Sequence, residues 1–66
     1  MQVEILLKEV RKEKNYTLSQ LSKKSGISKT HINDIENNVK EPSFSMMVRL
    51  SYALNIPIDK LYKIIW

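Results

Sequence analysis

The side chains best equipped for chemistry in this sequence lie close together, in the run SKTHINDIEN from Ser28 to Asn37. Lys29 and Thr30 are followed about one helical turn later by Asn33 and Asp34. A lysine ammonium can donate to O6 and N7 of guanine, and an asparagine amide can bond adenine through two atoms at once. An aspartate can accept from N4 of cytosine, and a threonine can bond a base edge or press its methyl on thymine. The plain alternative is an ordinary polar helix face.

Other chemistries are poorly served. There is no cysteine, which excludes disulfides, thiolate zinc sites and a cysteine nucleophile. His31 is the single histidine and cannot build a metal site alone. Ser28, His31 and Asp34 recur at three-residue intervals, which stacks them along one short helix without a pocket, an oriented base or an oxyanion hole. Neither catalysis nor a cofactor is expected. Eleven Lys and Arg against seven Asp and Glu give a net charge of +4. That balance suits a polyanion, because basic side chains displace counterions from phosphate. Many basic domains nevertheless bind nothing acidic, so charge alone decides little.

The elements that must position these residues can be read from spacing. The 66 residues form one small domain over positions 1–66, and a chain this short buries only ~60% of its unfolded surface. Its stability therefore leans on close helix packing, on a partner subunit, or on both. Val3, Leu6, Leu7 and Val10 make an apolar stripe at i, i+3, i+4, i+7, which predicts a helix from Val3 to Lys14. Asn15-Tyr16 interrupts it, and Thr17 reads as the N-cap of a second helix, Leu18 to Ser25, with Leu18 and Leu21 inward. Gly26 stands where a helix end wants a left-handed residue. Ile27 closes the turn, and Ser28 caps a third helix from Lys29 to about Asn37, with Ile32 and Ile35 inward. After a polar loop at Asn38 to Pro42, Ser43 caps a fourth helix whose inward residues are Phe44, Met47, Leu50 and Leu54. Pro57 then opens a short fifth helix carrying Ile58, Leu61, Tyr62 and Ile65. The expected fold is all-α, with five short helices.

Within this series, Thr17 to Glu36 is the most specific stretch. Two helices of about two turns each meet at a glycine, so they must cross steeply, one bracing the other. Leu21, Ile27, Ile32 and Ile35 sit where they lock that angle, and Ser22 is small where the helices approach. Here the sequence resembles the phage-repressor-like helix-turn-helix proteins, which include the lambda and 434 repressors and Cro. Arg11, Thr17, Leu21, Gly26, Ile27, Ser28, Ile32, Ile35 and Glu36 carry the resemblance. Pro42-Ser43, Leu50, Ala53, Leu54 and Leu61 extend it, so that it covers Leu7 to Leu61.

The resemblance implies a five-helix domain that enters the DNA major groove with its third helix, as a homodimer on a near-palindromic site. It implies base reading by Lys29, Thr30, Asn33 and Asp34. It also implies backbone contacts from Thr17, Ser28, His31, Asn37 and Lys40, which fix register without carrying sequence information. Arg11 and Glu36 are implied as a structural ion pair. Two positions depart from the family pattern. Leu18 stands where glutamine often reaches a phosphate, and Asn38 replaces the glycine after the third helix, a change asparagine tolerates.

Outside the motif, Lys23 and Lys24 read as a solvated basic pair, and Met46 and Met47 as gap-filling core. Ile64, Ile65 and Trp66 in succession cannot all face inward from a helix. With Tyr62 they are expected to supply a two-fold dimer interface, unless the tail folds back over the first helix. No window approaches a membrane span, and the N-terminus lacks a signal-peptide pattern, so a cytoplasmic protein is expected. The leading expectation is a DNA-binding regulator that acts as a repressor. An antitoxin-type module that binds a toxin or another antagonist protein is the alternative.

Overall fold

A computed structural model describes residues 1–66. Three of its helices begin behind a hydroxyl that accepts a hydrogen bond from a free backbone amide. Thr17 Oγ1 accepts from Gln20 N at 3.1 Å and opens α2, Leu18–Ser25. Ser28 Oγ accepts from His31 N at 3.1 Å and opens α3, Lys29–Glu36. Ser43 Oγ accepts from Met46 N at 3.1 Å and opens α4, Phe44–Leu54. Caps of this kind contribute about 1 kcal/mol each. Helix α1, Leu7–Glu13, has no side-chain cap; the backbone of Leu6 precedes it.

Left-handed residues end these helices. Gly26 (φ +73°) follows α2, and Asn15, Asn38 and Asn55 (φ +60°, +60° and +56°) follow α1, α3 and α4. Asparagine is the non-glycine residue that adopts this conformation most readily. The inward faces then meet in one core, where Leu7, Leu21, Ile32, Leu50 and Leu61 are wholly buried. Helix α2 is the hub, packing against both α3 and α4.

Both chain ends depart from the five-helix expectation. Val3 does not begin α1; it lies in strand β1, Gln2–Ile5. The expected fifth helix is a single 3-10 turn, Ile58–Lys60, after which the chain extends as strand β2, Tyr62–Ile65. The strands pair antiparallel, with Val3 opposite Ile64 and Ile5 opposite Tyr62. The fold is therefore four α-helices, a 3-10 turn and a two-stranded sheet joining the ends of the chain, not an all-α bundle.

The reason lies in alternation and branching. Val3, Ile5, Tyr62 and Ile64 share one sheet face by the period of two. β-branched Val3, Ile5, Ile64 and Ile65 favour the pleated conformation. Leu6 N donates to Leu61 O at 2.8 Å and continues the ladder inward. The tail does fold back, onto β1 rather than α1.

Phe44 is a second correction. It was expected in the core but is 77% exposed, and the inward face of α4 is Met47, Leu50, Ser51, Ala53 and Leu54. Phe44 shares its helical line with Val48 and Tyr52 instead. No helix is long and apolar enough to cross a membrane.

Candidate nucleic-acid interface

The α2–α3 turn is held by side chains as well as by its glycine. Gly26 N donates to Ser22 O at 3.0 Å, closing the end of α2. Ser22 Oγ donates to Ile27 O at 2.6 Å, and Ile27 N donates to Ser25 Oγ at 3.2 Å. Two serines thus clamp both backbone groups of Ile27, whose side chain is buried in the core. Ser25 was not singled out from the sequence, because a serine ending a polar helix carries no distinctive pattern.

A Cβ added at Gly26 would meet nothing within 4 Å, so the glycine is required by its φ of +73° and not by space. Gly26→Ala is expected to destabilise the fold by about 1–2 kcal/mol in urea denaturation, the strain of an L-residue in the left-handed region. Gly26→Asn should lose clearly less. An alanine variant as stable as the parent would refute this account of the turn.

Helix α3 turns Ile32 and Ile35 into the core and leaves Lys29, Thr30, Asn33 and Asn37 exposed on the opposite arc. Asp34 borders that arc and is half-buried, while His31 lies to its side, also half-buried. Two contacts hold the exposed side chains in place. Lys29 Nζ donates to Ser19 Oγ on α2 at 3.3 Å, and Asn37 Nδ2 donates to Asn33 Oδ1 at 3.3 Å. Ser19 was missed at the sequence level, since only the helix crossing brings it to Lys29.

Thr17 and Ser28 stand exposed at the N-termini of α2 and α3. Each hydroxyl accepts a capping bond and keeps its own proton for a further acceptor. Lys40 is exposed in the loop after α3, where Val39 N and Lys40 N both donate to Asp34 O, at 2.8 and 3.3 Å. Ser28, Lys29, Thr30, Asn33, Asn37 and Lys40 therefore lie along α3 and at its two ends, while Thr17 stands at the start of α2. Leu18 is half-buried against the core and offers no polar group at the start of α2. Gln20, also unremarked in the sequence, accepts from Thr17 N through Oε1 at 2.9 Å and completes a reciprocal cap.

At the far end, Glu36 turns away from this face and meets Arg11 of α1. Arg11 Nε donates to Oε2 at 2.7 Å and Nη2 to Oε1 at 3.0 Å, with the side chains 11% and 2% exposed. Nη1 donates to Tyr16 O at 2.9 Å, tying in the α1–α2 connection as well. Only a guanidinium fork makes all three contacts at once. The hydrogen bond to Glu36 holds the Arg11 pKa above its ordinary value, and burial opposes that shift. Lys24 is not simply solvated: its Nζ donates to the Tyr16 hydroxyl at 2.9 Å and lies 5.1 Å from the ring centre.

A short helix crossing α2 at a clamped turn, with its outward side polar, defines a helix-turn-helix unit. The chain belongs to the helix-turn-helix family, whose model matches residues 7–61. Among its relatives, the HTH-type transcriptional regulator SinR of Bacillus subtilis (strain 168) is 36% identical over 56 residues, 83% of this chain and 50% of SinR. The ImmF control region 10 kDa protein of Bacillus phage phi105 is 34% identical over 56 residues, 85% of this chain and 62% of that protein. A crystal structure described as the master regulator for biofilm formation SinR in complex with DNA superposes with a TM-score of 0.75. It is 35% identical and covers 80% of this chain and 86% of that one. The chain spans about half the length of SinR.

Proposed function

We propose that this chain is a sequence-specific DNA-binding transcriptional regulator, a repressor that binds a near-palindromic operator as a homodimer with α3 in the major groove. The observation that carries the reading is the outward side of α3: three exposed polar residues, Lys29, Thr30 and Asn33, on a helix braced at one end by the Ser22–Ser25 turn and at the other by Arg11–Glu36. A fixed polar helix is what groove reading requires, since each base presents a fixed pattern of donors and acceptors. The relative whose structure is described as a complex with DNA supports the same reading.

In this proposal Lys29, Thr30, Asn33 and Asp34 read base edges. Thr17, Ser28, His31, Asn37 and Lys40 hold the sugar-phosphate backbone. Two copies set their α3 helices one DNA turn apart, ~34 Å, on the two half-sites. The subunits meet through apolar surface at the tail, Tyr62, Ile64, Ile65 and Trp66. The protein acts in the cytoplasm.

Binding to a site selected from random DNA should weaken steeply as salt rises, through release of phosphate counterions. On that site Lys29→Ala should relax preference at one base position by about 1–3 kcal/mol while leaving nonspecific binding close to that of the parent. An equal loss on every sequence would move Lys29 from base reading to phosphate contact.

A further inference from the structure

A lysine at the first position of α3 works against the helix that carries it. The helix dipole puts partial positive charge at that end, and neither α2 nor α3 has an acidic residue in its first turn. The salt bridge of the chain joins Arg11 to Glu36, so the Lys29 ammonium has no carboxylate partner. Its partner is a hydroxyl. Lys29 Nζ donates to Ser19 Oγ at 3.3 Å, and no other side-chain hydrogen bond joins α2 to α3.

The neighbours of Ser19 are engaged elsewhere. Thr17 and Gln20 accept from each other's backbone amides, and Leu18 is half-buried against the core. Ser19 is exposed, and its short side chain offers the ammonium an acceptor close to the α2 backbone.

We infer that Ser19 is a specificity-determining positioning residue: it holds one N–H of Lys29 and leaves the other two for O6 and N7 of a guanine. The inference rests on the reading of α3 as the groove-binding helix and names the base that its first residue selects. An ammonium has three donors and no acceptor. On the major-groove edge guanine presents two acceptors, adenine one acceptor beside a donor, thymine one acceptor and cytosine a donor. With Ser19 as the third acceptor, guanine alone pairs every N–H of Lys29. Any other base leaves a donor unmatched in a site from which water is displaced.

Ser19 also restrains a long, flexible stem. Lysine gives up much rotamer freedom when it docks, and a tethered one gives up less. At 3.3 Å in water the bond is weak, and it strengthens once DNA covers it. Its effect therefore falls on base preference and not on the stability of the free chain.

The test starts from a site that the full chain selects from random DNA. Affinity is then measured for all four base pairs at the position where Lys29→Ala loses preference. Ser19→Ala, Ser19→Thr, Lys29→Ala and the Ser19→Ala/Lys29→Ala pair are compared, with thermal melting of each, where an exposed Ser19 predicts no change. Expected are guanine at that position, a preference lowered about three- to tenfold by Ser19→Ala, and parent-like preference in Ser19→Thr, which keeps the hydroxyl. In the Lys29→Ala background Ser19→Ala should change nothing further. A base other than guanine, or full preference in Ser19→Ala, overturns the inference. So does a loss that persists without Lys29, which would make Ser19 a phosphate contact in its own right. Should Lys29→Ala leave the selected site unchanged, Lys29 is no reader and the role of Ser19 falls with it, while the regulator reading stands. A chain that selects no sequence refutes that reading itself.

Discussion

Replacing Arg11 with leucine should lower the stability of this domain by about 3–5 kcal/mol, because it strands the Glu36 carboxylate where its side chain is 2% exposed. The loss is larger than that of a surface ion pair, since neither oxygen of Glu36 can turn to water for a new partner. Both oxygens now accept from the guanidinium, and a third donor closes on Tyr16 O. Arg11→Lys keeps the charge but not the fork, so it should recover only part of the loss. In a domain this size each kcal/mol moves the melting temperature by about 4–8 °C. The drop should therefore be plain in a thermal scan followed by circular dichroism. Added salt should restore little, because screening acts mainly on exposed pairs. A loss below about 1 kcal/mol would mean that the pair behaves as a surface contact.

Truncating Ile32 to alanine should remove about 2–5 kcal/mol, the range for deleting a large aliphatic side chain from a closed core. Ile32 is fully buried and belongs to α3 itself, so it sets how that helix sits on the body. Ile32→Val should lose only about 0.5–1.5 kcal/mol. Urea denaturation of the two variants gives both numbers. A domain of this length holds few kcal/mol in reserve, so the alanine chain should be substantially unfolded and weak on DNA. Excess operator should partly restore its fold, since a ligand that binds only the native state stabilises it. An alanine variant with parent-like stability would show that α3 is positioned by something other than its inward face.

The middle of the chain was legible because its signals are local. Thr17, Ser28 and Ser43 each cap within three residues, and Gly26 and Asn38 each set their own backbone, so α2, α3 and α4 begin and end near where spacing put them. The ends were not legible for the opposite reason. β1 and β2 exist through a pairing between residues 2–5 and 62–65, and no window holding Val3, Leu6, Leu7 and Val10 contains that partner. The helical stripe was real from Leu7 onward and accidental at Val3.

Phe44 was misplaced because spacing to Met47 puts it near the core line, while spacing to Val48 and Tyr52 puts it on the outer one; only packing separates them. In the candidate site, the residue types and the arc of α3 could be read from periodicity. The Arg11–Glu36 contact rested on family resemblance, for nothing in the spacing joins residues 25 positions apart. Ser19, Gln20 and Ser25 act through contacts across a turn or a helix crossing, and a polar residue on a short helix gives no sign of that.

The central claim is that the outward side of α3 reads base pairs, and selection of bound sequences from a random DNA pool tests it most directly. The account predicts an enriched motif whose two inverted halves are centred about one helical turn apart, with preference at one base pair per half relaxed when Lys29 is alanine. A pool that stays random, or a motif that Lys29→Ala, Thr30→Ala and Asn33→Ala all leave unchanged, would contradict it.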